Sequence, residues 1–309
     1  ERQEWELINN TFDTYQNLSG LPAGVYRLEA KTAFRGSWAD LMNGTPSAAK
    51  LYATIGEETL ETPFNNIWSP LNTESMAGAT EFGTTAAENS QGYNGKTVYS
   101  PNDPSAFRLY EEAGYYGTTL FFDVDGDAAR IGVKNAAKCD DGCDNWSIFD
   151  TFSLKYYGNT AESYQKWVEL MAPAFGEDVI CTKAYLDEYQ SVVDAQKVSN
   201  RAEVLAALES LEAAAIPVRE NISLWNTYST LSDSCMLFGN NPDYEHLDEI
   251  WDMMEYQEEV YEPNFEELAL TNEELDAEIA KFRELIALVQ EAIKNDVQPG
   301  EDCTEKYLI

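Results

Sequence analysis

The sequence predicts a multidomain β-then-α chain, with an N-terminal antiparallel β-sandwich over residues 1–158 and an all-α helical bundle over 159–309. Three observations lead there. Apolar residues recur with period two as far as Gly158 and with period 3.6 beyond it. At 309 residues, 44% of them hydrophobic, the chain exceeds the usual size of one compact domain and has apolar residues enough for two or three cores. The charge is split unevenly: 11 Lys/Arg stand against 22 Asp/Glu in residues 1–158, and 9 against 33 in residues 159–309.

In chain order, the strand-like Thr11–Gln16 is followed by the turn residues Ser19-Gly20-Leu21-Pro22-Ala23-Gly24 and then by Val25–Arg35. There Tyr26, Leu28, Ala30, Thr32 and Phe34 alternate with Arg27, Glu29, Lys31 and Arg35. The alternation describes a half-buried strand, and the intervening glycines and proline predict that the two strands form a hairpin. Further strands are expected at Lys50–Ile55, Thr118–Val124, Arg130–Lys134 and Trp146–Tyr157, with Asp125-Gly126 as a hairpin turn. Residues 62–103 are rich in Asn, Gly, Ser and Thr, show no periodicity and read as a long loop region, where function concentrates.

Beyond Gly158 five or six amphipathic helices are expected. Their stripes are Tyr185, Tyr189, Val192 and Val193; then Val204, Leu205, Leu208 and Leu211; then Leu247, Ile250, Trp251 and Met254. Pro217 suits the first turn of a helix carrying Ile222, Trp225 and Tyr228. Thr271 with Glu274 forms a capping box ahead of Leu275, Ile279, Phe282, Ile286, Val289 and Ile293.

A net charge of −35 repels a phosphate backbone and an anionic membrane surface alike, which excludes nucleic acid as a partner. No run of about 18 apolar residues is present, so no membrane insertion is expected. The first residues, Glu1-Arg2-Gln3-Glu4-Trp5, lack an initiator Met and the basic-then-apolar pattern of a signal peptide, and the last four are Lys306-Tyr307-Leu308-Ile309. Both ends lead us to expect a piece of a longer polypeptide, whose other domains would be partners.

Cys139 and Cys143 bracket Asp140-Asp141-Gly142. A local disulfide fits this spacing and implies an oxidising compartment, with free thiols as the alternative. One cysteine pair and a single histidine, His246, do not readily supply four zinc ligands. Of Cys181, Cys235 and Cys303, one pair is expected, leaving one thiol over.

Phe12-Asp13-Thr14-Tyr15-Gln16, Gly20 to Leu28, Ala33-Phe34-Arg35-Gly36, Asp125-Gly126, Ile131-Gly132-Val133-Lys134 and Trp146 to Leu154 together resemble a galactose-binding-like jelly roll of secreted, glycan-associated gut bacterial proteins. The resemblance covers residues 1 to about 158. It implies a non-catalytic carbohydrate-binding module of an extracellular or cell-surface protein, with a glycan or glycoprotein as partner. The helical region that follows would be a spacer. No cofactor is implied, although such modules allow a structural calcium.

Sugar recognition combines an aromatic platform with Asn, Asp or Arg groups that bond hydroxyls. Candidates are Arg35 and Trp38 after a strand, Trp68, Tyr93 and Asn94 in the long loop region, Tyr115 before a strand, and Asn145 and Trp146 after the Cys139–Cys143 turn. Each aromatic could equally be core. Asp123, Asp125 and Asp127 alternate as calcium ligands could, but read better as a solvated hairpin. A Cys235–His246 pair is the nearest approach to a catalytic signature, and no enzyme is expected. The alternative to sugar binding is a structural or adhesive spacer, in which the acidic helices offer a protein-binding surface if Trp225, Trp251 or Tyr256 are exposed as a patch.

Overall fold

A computed structural model describes residues 5–36, 40, 44–67, 84–86, 99–101, 103–137, 145–176 and 178–296. Strands dominate to Gly158 and helices follow, so the chain is a mixed β and α protein. It divides into two compact units, residues 1–167 with 199–201, and residues 168–198 with 202–309.

The first unit holds β1 (Trp5–Ile8), β2 (Phe12–Leu21), β3 (Gly24–Arg35), β4 (Ala49–Ile55), β5 (Glu58–Pro63), β6 (Asn65–Asn66), β7 (Thr84–Ala86), β8 (Tyr99–Pro101), β9 (Gly117–Val124), β10 (Asp127–Asn135) and β11 (Trp146–Gly158). Sheet 1 runs β1–β11–β3, with β9 and β6 pairing along β3, and sheet 2 runs β2–β10–β4–β5. A short β7–β8 ladder stands apart from both. All described pairings are antiparallel except β3 with β6.

The alternating faces of both sheets meet in one buried cluster. Leu28 and Phe34 of β3, Leu51 of β4, Phe122 of β9, Ile131 and Val133 of β10 and Phe149 of β11 belong to it.

Two expected hairpins are corrected here. β2 pairs with β10 and β3 with β9, so the turn between β2 and β3 and the turn at Asp125-Gly126 both carry the chain from one sheet to the other. The two crossings lie at the same end, since Leu21 faces Asp127 and Gly24 faces Val124. Period-two alternation reports which residues share a face, and turn residues report that the chain reverses. Neither reports the partner strand. At Gly24, φ is +137° and an added Cβ would lie 2.3 Å from the Gly158 carbonyl oxygen, so the crossing admits no side chain there. Among the described residues β4 and β5 form a hairpin, closed over Gly56.

Within residues 103–112, α1 (Pro104–Glu112) was not expected from the sequence. Asp103 caps it, accepting from the Ala106 amide at 2.9 Å, and Pro104 fills the first turn, where its missing N–H costs nothing. Phe107 and Tyr110 of α1 join Ala33, Ile67, Tyr116, Trp146 and Ile148 in a second buried cluster, which includes the face of sheet 1 away from the shared core. Trp167 of α2 (Ala161–Met171) stacks on Phe121, with ring centroids 5.8 Å apart.

The second unit contains α3 (Lys183–Ala195), α4 (Arg201–Gly239) from its second residue onward, α5 (Asp248–Tyr256), a π turn (Gln257–Tyr261), α6 (Glu262–Glu267) and α7 (Asn272–Asn295). Pro217 does not open a helix; it sits inside the 39-residue α4. Proline in a helix interior costs ~3 kcal/mol. That cost is outweighed because one buried stripe continues on both sides of it: Val204, Ala207, Leu211 and Ala215 before, and Val218, Trp225, Tyr228 and Cys235 after. Each large apolar side chain so buried contributes ~1.5–3 kcal/mol. The stripe rotates off the expected Leu205, which is exposed. Trp225, Tyr228, Met253, Tyr256, Phe282 and Ile286 form the core, and the Thr271–Glu274 capping box is present at the start of α7.

Candidate functional site

The end of the sheets opposite the two crossings is where β3 stops at Arg35 and β11 starts at Trp146, and these two residues are register partners. The Arg35 guanidinium lies 5.3 Å from the centroid of the Trp146 ring. Asn145 is fixed beside them, because its amide donates to Asn9 Oδ1 at 2.8 Å and its carbonyl accepts from the Asn9 amide at 2.8 Å. Tyr115 packs on the margin of the same aromatic cluster, edge-on to Tyr110 at 5.9 Å. Arg35, Asn145, Trp146 and Tyr115 are therefore gathered around one end of sheet 1.

Trp146 departs from the expected platform. Its side chain is 1% exposed, covered in the cluster that contains Phe107 and Tyr110 of α1, so its ring supports Arg35 and cannot stack on a sugar itself. This is the alternative that the sequence left open for each aromatic, a place in the core, although the helix that covers it was not expected. Trp38, Trp68, Tyr93, Asn94, Cys139 and Cys143 lie outside the described residues. So does Cys303. Cys181 and Cys235 are both free and buried, which excludes the disulfide expected between two of the three cysteines wherever it involves them.

Asp123, Asp125 and Asp127 do not share one strand face: β9 and β10 belong to different sheets. Asp123 instead accepts from the Tyr164 hydroxyl at 3.3 Å and faces Arg201 Nε at 3.6 Å, while Arg201 also pairs with Glu58. Burial pushes the Asp123 carboxyl above its usual range, against the opposing pull of Arg201 and Tyr164. Among the described residues no group of three His, Cys, Asp or Glu is placed to hold a metal ion.

The Cys235–His246 pair is not formed as a catalytic pair. Cys235 Sγ lies 3.9 Å from the Met253 carbonyl oxygen and 3.8 Å from Met254 Sδ, and burial pushes its thiol up to about 11. A nucleophilic cysteine requires the reverse shift. His246 lies 3.2 Å from the Asp296 carboxylate. Trp225 and Tyr256 are buried and only Trp251 is exposed, its indole N–H donating to the Glu245 carbonyl, so the three aromatics form no surface patch.

One group of polar and aromatic side chains was missed because it exists only across strands. On the outer face of sheet 2, Asn17, Arg130, Thr54 and Thr59 form one rung, with Tyr15, Gly132, Tyr52 and Glu61 on the next. Arg130 lies 4.2 Å above the centroid of Tyr15 and donates from Nε to Asn17 Oδ1 at 3.1 Å. The Gly132 Cα approaches β2 so closely that an added Cβ would be 2.4 Å from the Thr14 carbonyl oxygen. Tyr15 and Gly132 were each legible as strand positions, but their adjacency was not.

Among the described residues no helix is long and apolar enough to cross a membrane. Compared with protein-family models, curated proteins and solved structures, the chain matches none of them.

Proposed function

We propose that the first unit is a β-sandwich of the galactose-binding-like jelly-roll type and acts as a non-catalytic carbohydrate-binding module of an exported protein, with the helices after it forming a bundle that serves as a spacer. The fold reading is supported by two sheets contributing to one buried cluster and by the paired sheet-to-sheet crossings at one end. The observation that carries the functional reading is Arg35 held against the Trp146 ring at the opposite end. A guanidinium held on an aromatic face is fixed in orientation, as an arginine that contacts a sugar must be.

The burial of Trp146 favours a second reading, in which this end has lost its sugar platform and the chain is a structural or adhesive spacer. A glycan array probed with the whole chain separates the two. Glycan binding that Arg35→Ala and Trp38→Ala both abolish supports the module. Silence across the array from demonstrably folded protein supports the spacer. Trp146→Ala is unsuitable, because deleting a fully buried ring unfolds rather than unbinds.

A further inference from the structure

The outer face of sheet 2 divides into a closed half and an open half. In the closed half Tyr52 donates to Asp13 at 2.6 Å, and Glu61 is paired with both Lys134 and Lys50. Its charges are matched and its tyrosine is buried. In the open half Arg130 is exposed, and among the described residues it has no carboxylate partner, although the chain carries 55 acidic residues. Its Nε is taken by Asn17 and its plane rests on Tyr15, which leaves the two terminal nitrogens directed away from Nε as an unoccupied fork. Beside it on the same rung are the hydroxyls of Thr54 and Thr59, 2.9 Å apart, and Tyr15 is 49% exposed. An aromatic surface, a row of neutral hydrogen-bonding groups and one uncompensated bidentate cation thus share one face of sheet 2.

We propose that this face is a saccharide-contact surface distinct from the Arg35 end, selective for a carboxylate-bearing pyranose such as a uronic acid. The Arg130 fork receives the sugar carboxylate, Asn17, Thr54 and Thr59 bond the ring hydroxyls, and the exposed part of Tyr15 meets the apolar side of the ring. A neutral sugar leaves the fork unused, so selectivity resides in Arg130. The inference rests on the carbohydrate-binding reading for its ligand class only; its residues are independent of the Arg35 end.

The test is titration calorimetry of the whole chain with tetragalacturonate and with neutral galactotetraose. Tetragalacturonate is expected to bind at least tenfold tighter at about 0.15 M salt, where screening beyond roughly 8 Å confines the repulsion from the chain's net charge of −35 and leaves the direct contact at Arg130. Arg130→Gln and Tyr15→Ala should each weaken it about tenfold or more, Arg130→Lys should retain only part of it because the fork is lost, and removal of a remote charge by Lys294→Gln should change nothing. All these side chains are exposed, and unchanged thermal melts confirm that the variants fold. Equal affinity for the two sugars, no binding of tetragalacturonate, or tetragalacturonate binding that survives Arg130→Gln but is lost in Arg35→Ala would each overturn the assignment. Neutral-glycan binding lost in Arg35→Ala, together with no binding of tetragalacturonate, would uphold the Arg35-end reading while this one fails.

Discussion

The two units are held by opposite means. In the strand unit the distinctive positions are ones without side chains, Gly24 and Gly132, where one backbone approaches another too closely for a Cβ. In the helical unit they are the largest side chains, Trp225, Tyr228 and Phe282, together with a buried polar tie. Trp225 Nε1 donates to Thr182 Oγ1 at 3.1 Å, the Thr182 amide donates to Asn221 Oδ1 at 2.8 Å, and Asn221 Nδ2 donates to Asn272 Oδ1 at 2.8 Å. Strands pair through backbone and tolerate many side chains, whereas helices satisfy their own backbone and associate only through side chains. Substitutions that test this contrast should therefore remove volume in one unit and add it in the other.

The largest effect is expected from Trp225→Ala, which leaves a cavity in the helical core and removes the indole donor from Thr182 Oγ1, whose own donation to the Leu270 carbonyl at 2.6 Å remains; a loss of ~3–5 kcal/mol is expected from urea unfolding followed by helical circular dichroism. A smaller loss would mean that the helices close over the space. Gly132→Ala comes next. Its single methyl must displace the Thr14 carbonyl, and local strain of this kind costs roughly 1–3 kcal/mol. The readout is the near-ultraviolet signal of the tyrosines flanking that position; a neutral substitution would show that β2 moves freely and would break the contrast. Thr271→Ala, which deletes the N-cap acceptor of the Glu274 amide, should cost ~1 kcal/mol in the same urea experiment.

The parts of the molecule legible in its sequence follow the same division. The Thr271 cap and the Leu275 to Val289 stripe were readable because helix contacts recur within one segment. Pro217 misled because a local rule was overridden by burial extending along both arms of α4. Among the strands, Val25–Arg35 and Trp146–Tyr157 were readable as strands, but their partners were not, since pairing spans more than a hundred residues between β3 and β11. Arg35, Asn145 and Trp146 were named together from sequence, yet the burial of Trp146 depends on α1, whose nine residues carry no long repeat. The Tyr15–Arg130 contact joins strands far apart in the chain and left no sequence signal at all.

The smallest expected effects separate two carboxylates of the strand unit that titrate in opposite senses. Asp123 is raised because burial outweighs Arg201, so the folded chain holds this proton to a higher pH than the unfolded chain does. Its contribution to stability therefore declines as pH rises from the ordinary carboxylate value through the folded one. Glu61 is lowered by its hydrogen bonds from Lys134 and Lys50, so its contribution is present above the ordinary value and lost as pH falls through the folded one. Urea midpoints measured from pH 3 to 7, about the range in which carboxylates titrate, should show the native chain losing ground to Asp123→Asn and gaining on Glu61→Gln as pH rises. Were the Asp123→Asn difference to run the other way, Arg201 would outweigh burial at that carboxylate, and the strand unit would owe more to its charged side chains than its glycines suggest.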